Sequence, residues 1–283
     1  MLSTYQYCED LVRDGDKDRF LASLFASADR RQALYALYAF NLEISNISAS
    51  VREPLAGEIR LQWWRDVIEG RRPEEAAGHP VASALCDARS RNALPQHLFE
   101  ALIEARRHDV NGEPLVRLDD FETYVSDTFA TLVELAARIL VPDAKDNDFA
   151  FAKPVGLCIG IVQVLRVLGF HAAHGDLFLP GELLARHGVE PHDVLAAKSS
   201  AGLLAALAEL RGRAASHYVT ARLMIDKAPP AATPAWLPAA LVPAFLKVID
   251  RHRDRPFAIV EVPQWRRQWI LWRAARVGRP KAM

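Results

Sequence analysis

Residues 155–170 constrain the fold most, because nearly every position there is apolar or glycine. A helix of this composition has no polar face, so other parts of the protein must cover it on most sides. Gln163 and Arg166 are the exceptions, and their spacing of three places them on one helix face. A buried guanidinium keeps its proton and needs a carboxylate, an anion or a wet cavity beside it. This face therefore either looks into a pocket or pairs with a carboxylate on a neighbouring helix.

The rest of the chain also has helical patterning. Apolar residues recur at helical spacing in segments that begin or end at Ser, Asp, Pro or Gly. These segments are residues 30–50, a helix stopped by Gly70, helices that start after Pro80 and at Pro95, and the ranges 118–140, 155–170 and 200–225. No long alternating pattern or fixed-period repeat occurs, and residues 228–236 are predicted to be an internal Ala/Pro loop. We predict an all-α protein in which residues 1–283 form a single domain of about eight to ten helices.

Composition excludes several classes of protein. Hydrophobic residues make up 51% of the 283 residues, and 35 basic residues balance 35 acidic ones. A disordered chain and an overall attraction to nucleic acid are therefore excluded. The three cysteines, Cys8, Cys86 and Cys158, have no CxxC spacing and are interpreted as reduced thiols.

The sequence also gives an expectation for localisation. The N-terminus lacks the apolar core of a signal peptide, and the sequence predicts that no apolar run reaches the ~18 residues that cross a membrane. We expect a cytoplasmic protein that can associate peripherally with the inner face of the cytoplasmic membrane.

The C-terminal segment is basic and rich in tryptophan. Residues 251–283 contain nine Lys or Arg against Asp254 and Glu261, and the tryptophans recur at i, i+4 and i+7. Residues 264–283 are predicted to form a basic helix and tail. Its aromatic stripe either contacts a membrane surface or the acidic patch of a partner, or packs on the protein and leaves the arginines in water. The candidates for membrane or partner contact are Trp265, Arg266, Arg267, Trp269, Trp272 and Arg273.

Motifs of common enzyme classes are missing. The chain has no Gly-rich phosphate loop, no GxSxG and no HExxH. His171, His174 and Asp176 have a spacing that a metal could use, but no fourth ligand is in view, so a solvated loop without metal is the prediction. His108 and Asp109 are interpreted as a surface pair.

Several blocks, taken in order, resemble the squalene and phytoene synthase family. They are YALYAFN (35–41), RLQWWRDVIEG (60–70), HPV (79–81), EARRHDV (104–110), VQVLR (162–166) and GDLFLPGELL (175–184). The resemblance implies the all-α isoprenoid-synthase fold, a helical bundle around a central cavity.

Family members that join two prenyl diphosphates carry two Asp-rich motifs. Mg²⁺ held by these carboxylates neutralises the departing diphosphate. In this chain the first motif is replaced by Ser45, Asn46, Ile47, Ser48 and Ala49, and Val167 and His171 stand where the second motif has aspartates. Ser and Asn supply no charge, and Val supplies no ligand. The resemblance therefore implies that two Mg²⁺ ions cannot be held here.

One branch of the family, the complex I assembly factor 6-like proteins, resembles this pattern more closely. It shares the AFNxE block at residues 39–43, an LR without its aspartates at 165–166 and the FLP at 178–180. This likeness implies a catalytically inactive protein that assists assembly of respiratory complex I, with a complex I subunit or assembly intermediate as its partner.

Two other functions stay open at the level of the sequence. One is a lipid- or isoprenoid-binding protein that holds a polar head with Gln163 and Arg166. The other is an atypical prenyltransferase, the only case in which Mg²⁺ would be a cofactor; otherwise no cofactor and no nucleic acid are expected. The candidate residues of a residual cavity are Glu43, Asn46, Gln163, Arg166 and His171, and Glu43 is a candidate partner for Arg166.

Overall fold

The computed structural model of the protein describes residues 3–51 and 53–281. Within these ranges it contains α-helices, 3₁₀ turns and one π-helical segment, and no strand, so the all-α prediction is confirmed. The helices are α1 (Thr4–Gly15), α2 (Lys17–Ser23), α3 (Ala28–Ser45), α4 (Ile47–Ser50), α5 (Pro54–Ile68), α6 (Pro73–Gly78), α7 (Pro80–Arg91), α8 (Gln96–Asn111), α9 (Leu118–Val125), α10 (Thr131–Leu140), α11 (Ala152–Arg166), α12 (Leu168–His174), α13 (Gly181–Arg186), α14 (Pro191–Leu195), α15 (Ala201–Ile225), α16 (Thr233–Trp236), α17 (Val242–Arg251) and α18 (Gln264–Val277).

Local sequence explains many of the helix ends. The hydroxyl of Ser200 accepts the backbone N–H of Leu203 at 3.1 Å and starts α15, as expected for an N-cap serine. Pro80 occupies the first turn of α7, where its missing N–H costs nothing. Gly278 follows α18 with a φ of 71°, a left-handed conformation that ends helices.

Several helices that the sequence predicts as continuous are interrupted. Residues 118–140 form α9, a π-helical segment at Ser126–Ala130 and α10. Within the π segment the Thr128 hydroxyl donates to the carbonyl of Tyr124 at 2.7 Å, and such back-bonding distorts helices. Residues 30–50 are interrupted at Asn46 and residues 155–170 at Val167.

The contacts divide the chain into two compact units. The first unit comprises the chain up to Asn111 together with Thr131–Ala150 and Lys227–Pro238. Its central helix is α3, which is almost completely buried over residues 33–41 and packs against α1, α7 and α10. Tyr5 on α1 donates its hydroxyl to the Asp87 carboxylate of α7 at 2.5 Å.

The second unit comprises Gly112–Ala130, Phe151–Asp226 and the chain from Ala239 onward. Its central helix is α11, which packs against α15 and the π segment. Gly156 and Gly160 line the contact with the π segment: an added Cβ at Gly156 would lie 2.6 Å from the Cβ of Ala130, and one at Gly160 would lie 2.6 Å from the Phe129 ring. The two glycines therefore permit the close approach.

Two expectations from the sequence require correction. The predicted loop 228–236 contains a 3₁₀ turn at Pro230–Ala232 and the helix α16, because prolines start both turns and Trp236 is buried. Two stretches, Asp146–Arg166 and Pro230–Arg251, are long and apolar enough to cross a membrane by length and composition, contrary to the expectation from the sequence. In the structure 72% and 78% of their apolar windows is buried inside the protein, as expected for helices of a protein core.

Candidate functional site

The first Asp-rich position of the family lies where α3 gives way to α4. The Ser45 hydroxyl donates to the carbonyl of Leu42 at 3.1 Å, and Asn46 interrupts the helix with φ −88° and ψ −2°. A hydroxyl that bonds back to its own helix tends to bend it. Ile47 is buried, and neither Ser48 nor Ala49 carries a charge. This bend therefore presents hydroxyl and amide groups in place of carboxylates.

Glu43 and Asn46 occupy different environments in the first unit. Glu43 is half-buried and lies near Cys8 of α1; burial, together with the negative charge of Glu43, raises the pKa of the Cys8 thiol to about 12. Asn46 is exposed, and its side chain does not cap α4. Asn41, five residues before Asn46, is buried, and its Oδ1 accepts no hydrogen bond from the described residues.

The second Asp-rich position lies where α11 gives way to α12. Val167 interrupts the helix with φ −108° and ψ 17°, and His171 lies one turn further on, with its ring 4.5 Å from that of Phe178. An apolar side chain and an imidazole therefore occupy the positions at which the family's synthases place aspartates.

Arg166 belongs to a charged and aromatic cluster in the second unit. Its side chain is only 13% exposed, and it donates to Gln163 Oε1 at 3.1 Å and to Glu261 Oε1 at 3.0 Å. The guanidinium also lies over the ring of Phe245, 3.7 Å from the centroid, where cation–π attraction stabilises it. Arg267 of α18 approaches the other Glu261 oxygen at 3.7 Å. We name Gln163, Arg166, Phe245, Glu261 and Arg267 the Arg166 cluster.

The Arg166 cluster contains the carboxylate that a buried arginine on the apolar helix requires. The required carboxylate is supplied by Glu261, which comes from the segment before α18 rather than from an Asp-rich motif. Gly169 makes this arrangement possible, because an added Cβ there would lie 3.0 Å from the carbonyl carbon of Phe257. The close approach brings the Glu261 segment alongside α11 and α12. The pairing of Arg166 with Glu43 stays a prediction.

The residues at the two Asp-rich positions do not fit Mg²⁺. This ion requires hard oxygen ligands and normally at least one carboxylate, and the positions supply hydroxyl, amide, imidazole and apolar groups. Across residues 3–51 and 53–281, no group of three or more His, Cys, Asp or Glu is arranged to hold a metal ion. At the HAAHGD segment, which was predicted as a loop, His171 and His174 belong to α12, and His174 Nδ1 lies 2.8 Å from the carbonyl oxygen of Phe170.

A surface cleft of about 520 Å³ lies in the first unit, between α5 and α8. It is lined by Arg65, Glu69, His97, Glu100, Ala101 and Glu104, and Arg65 pairs with Glu104 at 2.5 Å. Ligand pockets for apolar molecules are lined mainly by hydrophobic and aromatic side chains. This charged cleft is therefore unsuited to a prenyl chain, and no pattern in the sequence predicted it.

The C-terminal helix α18 turns its tryptophan stripe outward, which decides between the two interpretations of its sequence. Leu271 and Ala274 are its buried residues, whereas Trp265, Trp269 and Trp272 are exposed. The interpretation in which the tryptophan stripe packs on the protein is therefore wrong. Arg267, a candidate for outward contact, instead faces Phe245 and Glu261 and is 13% exposed.

Comparisons with known proteins agree with the helical architecture. The family model described as squalene/phytoene synthase matches residues 12–273. The human protein named "NADH dehydrogenase (ubiquinone) complex I, assembly factor 6" is 29% identical over 248 residues, which are 88% of this chain and 74% of that protein. A presqualene diphosphate synthase from Rhodopseudomonas palustris is 26% identical over 204 residues, covering 71% of each protein. Among solved structures, a dehydrosqualene synthase superposes with a TM-score of 0.81 at 17% identity, covering 97% of this chain and 96% of that chain.

Proposed function

This chain belongs to the squalene/phytoene synthase family, and we propose that within the family it assists the assembly of respiratory complex I and does not join prenyl diphosphates. The similarity over 88% of the chain to a complex I assembly factor supports an assembly role. The observation that carries the second half of the proposal is the absence of a carboxylate at both Asp-rich positions.

The chemistry of the family explains why that absence matters. A prenyl diphosphate ionises only when the charge on its departing diphosphate is neutralised, which the family's synthases achieve with Mg²⁺ held by aspartates. Ser45, Asn46, Val167 and His171 cannot replace those ligands. Arg166, the cation next to the second position, is already engaged by Glu261 and Phe245. We therefore derive no catalytic step for this chain.

The same cluster supports a scaffolding role. Arg166 lies on α11, Phe245 on α17 and Arg267 on α18, with Glu261 between the two guanidinium groups. Within the second unit this network fixes the C-terminal helix against the central helix. The network therefore holds α18 in a defined position against α11, from which its outer face can meet another protein during assembly.

The decisive experiment removes the gene from the source organism. We expect assembled NADH:quinone oxidoreductase to fall sharply on native gels and to return when the wild-type chain is supplied. Normal amounts of the complex in the deletion strain would refute the assembly function. Loss of carotenoid or hopanoid with normal complex I would instead identify a synthase.

A second experiment examines the chemistry directly. Purified protein is incubated with farnesyl or geranylgeranyl diphosphate and Mg²⁺, beside an active dehydrosqualene synthase as positive control, and products are measured by mass spectrometry. We expect no condensation product. Product formation, or thermal stabilisation by diphosphate that requires Mg²⁺, would show that the chain is an enzyme. An isoprenoid or acyl lipid that copurifies with the protein would favour lipid binding.

The Glu43→Gln variant tests the remaining cavity hypothesis. If Glu43 contributes a carboxylate to Arg166, this change should lower thermal stability or the ability to restore complex I. Unchanged stability and rescue would remove Glu43 from any role at Arg166 and leave Glu261 as the carboxylate there.

A further inference from the structure

The outward face of α18 carries a continuous aromatic stripe. Trp265, Trp269 and Trp272 are 70%, 56% and 42% exposed, and Arg276 follows Trp272 by one turn. At 3.6 residues per turn these four positions fall within about 60° around the helix axis. Leu271 and Ala274 occupy the opposite, buried face. The helix is therefore amphipathic in an unusual sense, since its largest aromatic side chains are those that point away from the protein.

The exposed side chains are ordered with respect to one another. The rings of Trp269 and Trp272 stack with centroids 5.1 Å apart, and the guanidinium of Arg276 lies 5.0 Å from the Trp272 ring. Single exposed apolar residues are common, but a contiguous apolar patch rimmed by polar groups marks an interaction site. Three neighbouring tryptophans on one helix face meet that description.

The charge around the stripe has one sign. Residues 262–281 contain six basic residues and no acidic one. Arg273, Arg276, Arg279 and Lys281 are exposed, whereas Arg267 faces inward. A cationic rim around an aromatic stripe is complementary to an anionic surface that also accepts apolar groups.

We propose that α18 is a docking helix for the surface of an anionic lipid bilayer. Its 14 residues span only about 21 Å, less than the ~30 Å of a hydrocarbon core, so it lies in the plane of the interface. The indole rings enter the headgroup region, where tryptophan is enriched, and the arginines remain at the level of the anionic headgroups. The buried Leu271–Ala274 face holds the rest of the second unit on the aqueous side.

A bilayer fits this face better than a protein partner does. The stripe is one helix wide and projects outward, a shape that fluid headgroups accommodate, whereas a protein would need a matching groove. The stripe also has basic residues at several angles around the axis and no carboxylate to fix an orientation. This inference does not depend on the role in complex I assembly.

Vesicle flotation of the full-length protein tests the proposal. We expect strong binding to vesicles of phosphatidylcholine containing about 30% phosphatidylglycerol, weak binding to phosphatidylcholine alone, and release at about 1 M NaCl because salt screens the charges. Binding should shift tryptophan emission to shorter wavelength, since the three exposed indoles leave water. A variant without these three indoles keeps Trp63, Trp64 and Trp236, and the emission of these remaining tryptophans shows how much of the shift does not come from α18.

Two sets of variants separate the aromatic and the cationic contributions. The triple variant Trp265→Ala, Trp269→Ala, Trp272→Ala should bind anionic vesicles roughly tenfold more weakly or worse, since binding scales with buried apolar area. The variant Arg273→Gln, Arg276→Gln should lose about fivefold per charge, for anionic vesicles only. The matched control is Leu55→Ala, Ile59→Ala on α5, which removes two residues that are 71% and 62% exposed and should leave binding unchanged.

Three results would overturn the proposal. The first is equal binding, or no binding, to anionic and neutral vesicles. The second is wild-type binding by the triple tryptophan variant, with circular dichroism showing that it is folded. The third is retention only on vesicles that contain membrane proteins, which would assign the face to a protein partner.

Discussion

The contact between α11 and the π segment gives the sharpest test of how the second unit is packed. Gly156 and Gly212 are both interior helix glycines, and Gly→Ala in a helix interior normally stabilises it by about 1 kcal/mol. Their surroundings differ. A Cβ at Gly212 would meet no atom within 4 Å, whereas one at Gly156 would lie 2.6 Å from the Cβ of Ala130 and closer still to its Cα and N. The same substitution should therefore have opposite effects at the two sites.

The expected cost at Gly156 follows from that distance. Non-bonded carbons prefer separations of about 3.5–4.0 Å, so α11 and the π segment must move apart by about 1 Å. Overpacking typically costs about 1–3 kcal/mol, and a backbone obstacle cannot rotate away as a side chain can. After the gain in helix propensity, we expect Gly156→Ala to lose about 2 kcal/mol and Gly212→Ala to gain about 0.5–1 kcal/mol.

Thermal unfolding followed by circular dichroism at 222 nm measures the difference. Using about 2–4 °C per kcal/mol for a domain of this size, Gly156→Ala should lower Tm by about 4–8 °C and Gly212→Ala should raise it by about 1–4 °C. An increase in Tm for Gly156→Ala similar to that for Gly212→Ala would refute the close approach of α11 to Ala130.

Three further changes probe charge and burial. Glu261→Gln should lower the free energy of unfolding by roughly 1 kcal/mol, because the carboxylate is 57% exposed and solvent weakens a surface ion pair. In chemical denaturation the exposed control Asp254→Asn should be as stable as the wild type. An equal loss of stability in both variants would argue against the Arg166 cluster. Hydrogen bonds from Arg72 and Gln62 lower the pKa of Asp66. The stabilisation that the Asp66 carboxylate contributes is therefore present above about pH 4 and is lost as the pH falls through the folded pKa. The difference in Tm between wild type and Asp66→Asn should close over this fall in pH, and a difference independent of pH would contradict the prediction. Burial raises the pKa of all three thiols, to about 12 for Cys8. At pH 8 a thiol reagent should therefore label Cys86, the least buried thiol, first, and should label Cys8 and Cys158 only on unfolding. Rapid labelling of Cys158 in the native protein would contradict this prediction and show that α11 is accessible.

The helical architecture could be predicted because it depends on local periodicity. The apolar stretch 155–170 has no polar face, and in the structure α11 is the central helix of the second unit. Blocks such as RLQWWRDVIEG and GDLFLPGELL indicated the family, and the family model matches residues 12–273. The helix interruptions at Asn46 and Val167 could not be predicted in this way, because periodicity continues across a single distorted residue.

The chemistry of the candidate site also depends partly on residue types and partly on tertiary packing. The sequence alone determined that both Asp-rich positions lack carboxylates and that Arg166 needs a partner, since charge and hydrogen-bonding capacity belong to residue type. Tertiary structure decided that the partner is Glu261, 95 residues away, because only packing brings two such distant segments together. Tertiary structure also decided which way α18 faces. The i, i+4, i+7 pattern places the tryptophans on one side of a helix but does not say whether that side meets the protein or the solvent. The outcome depends on the residues of the opposite side, because here Leu271 and Ala274 fit the neighbouring surface.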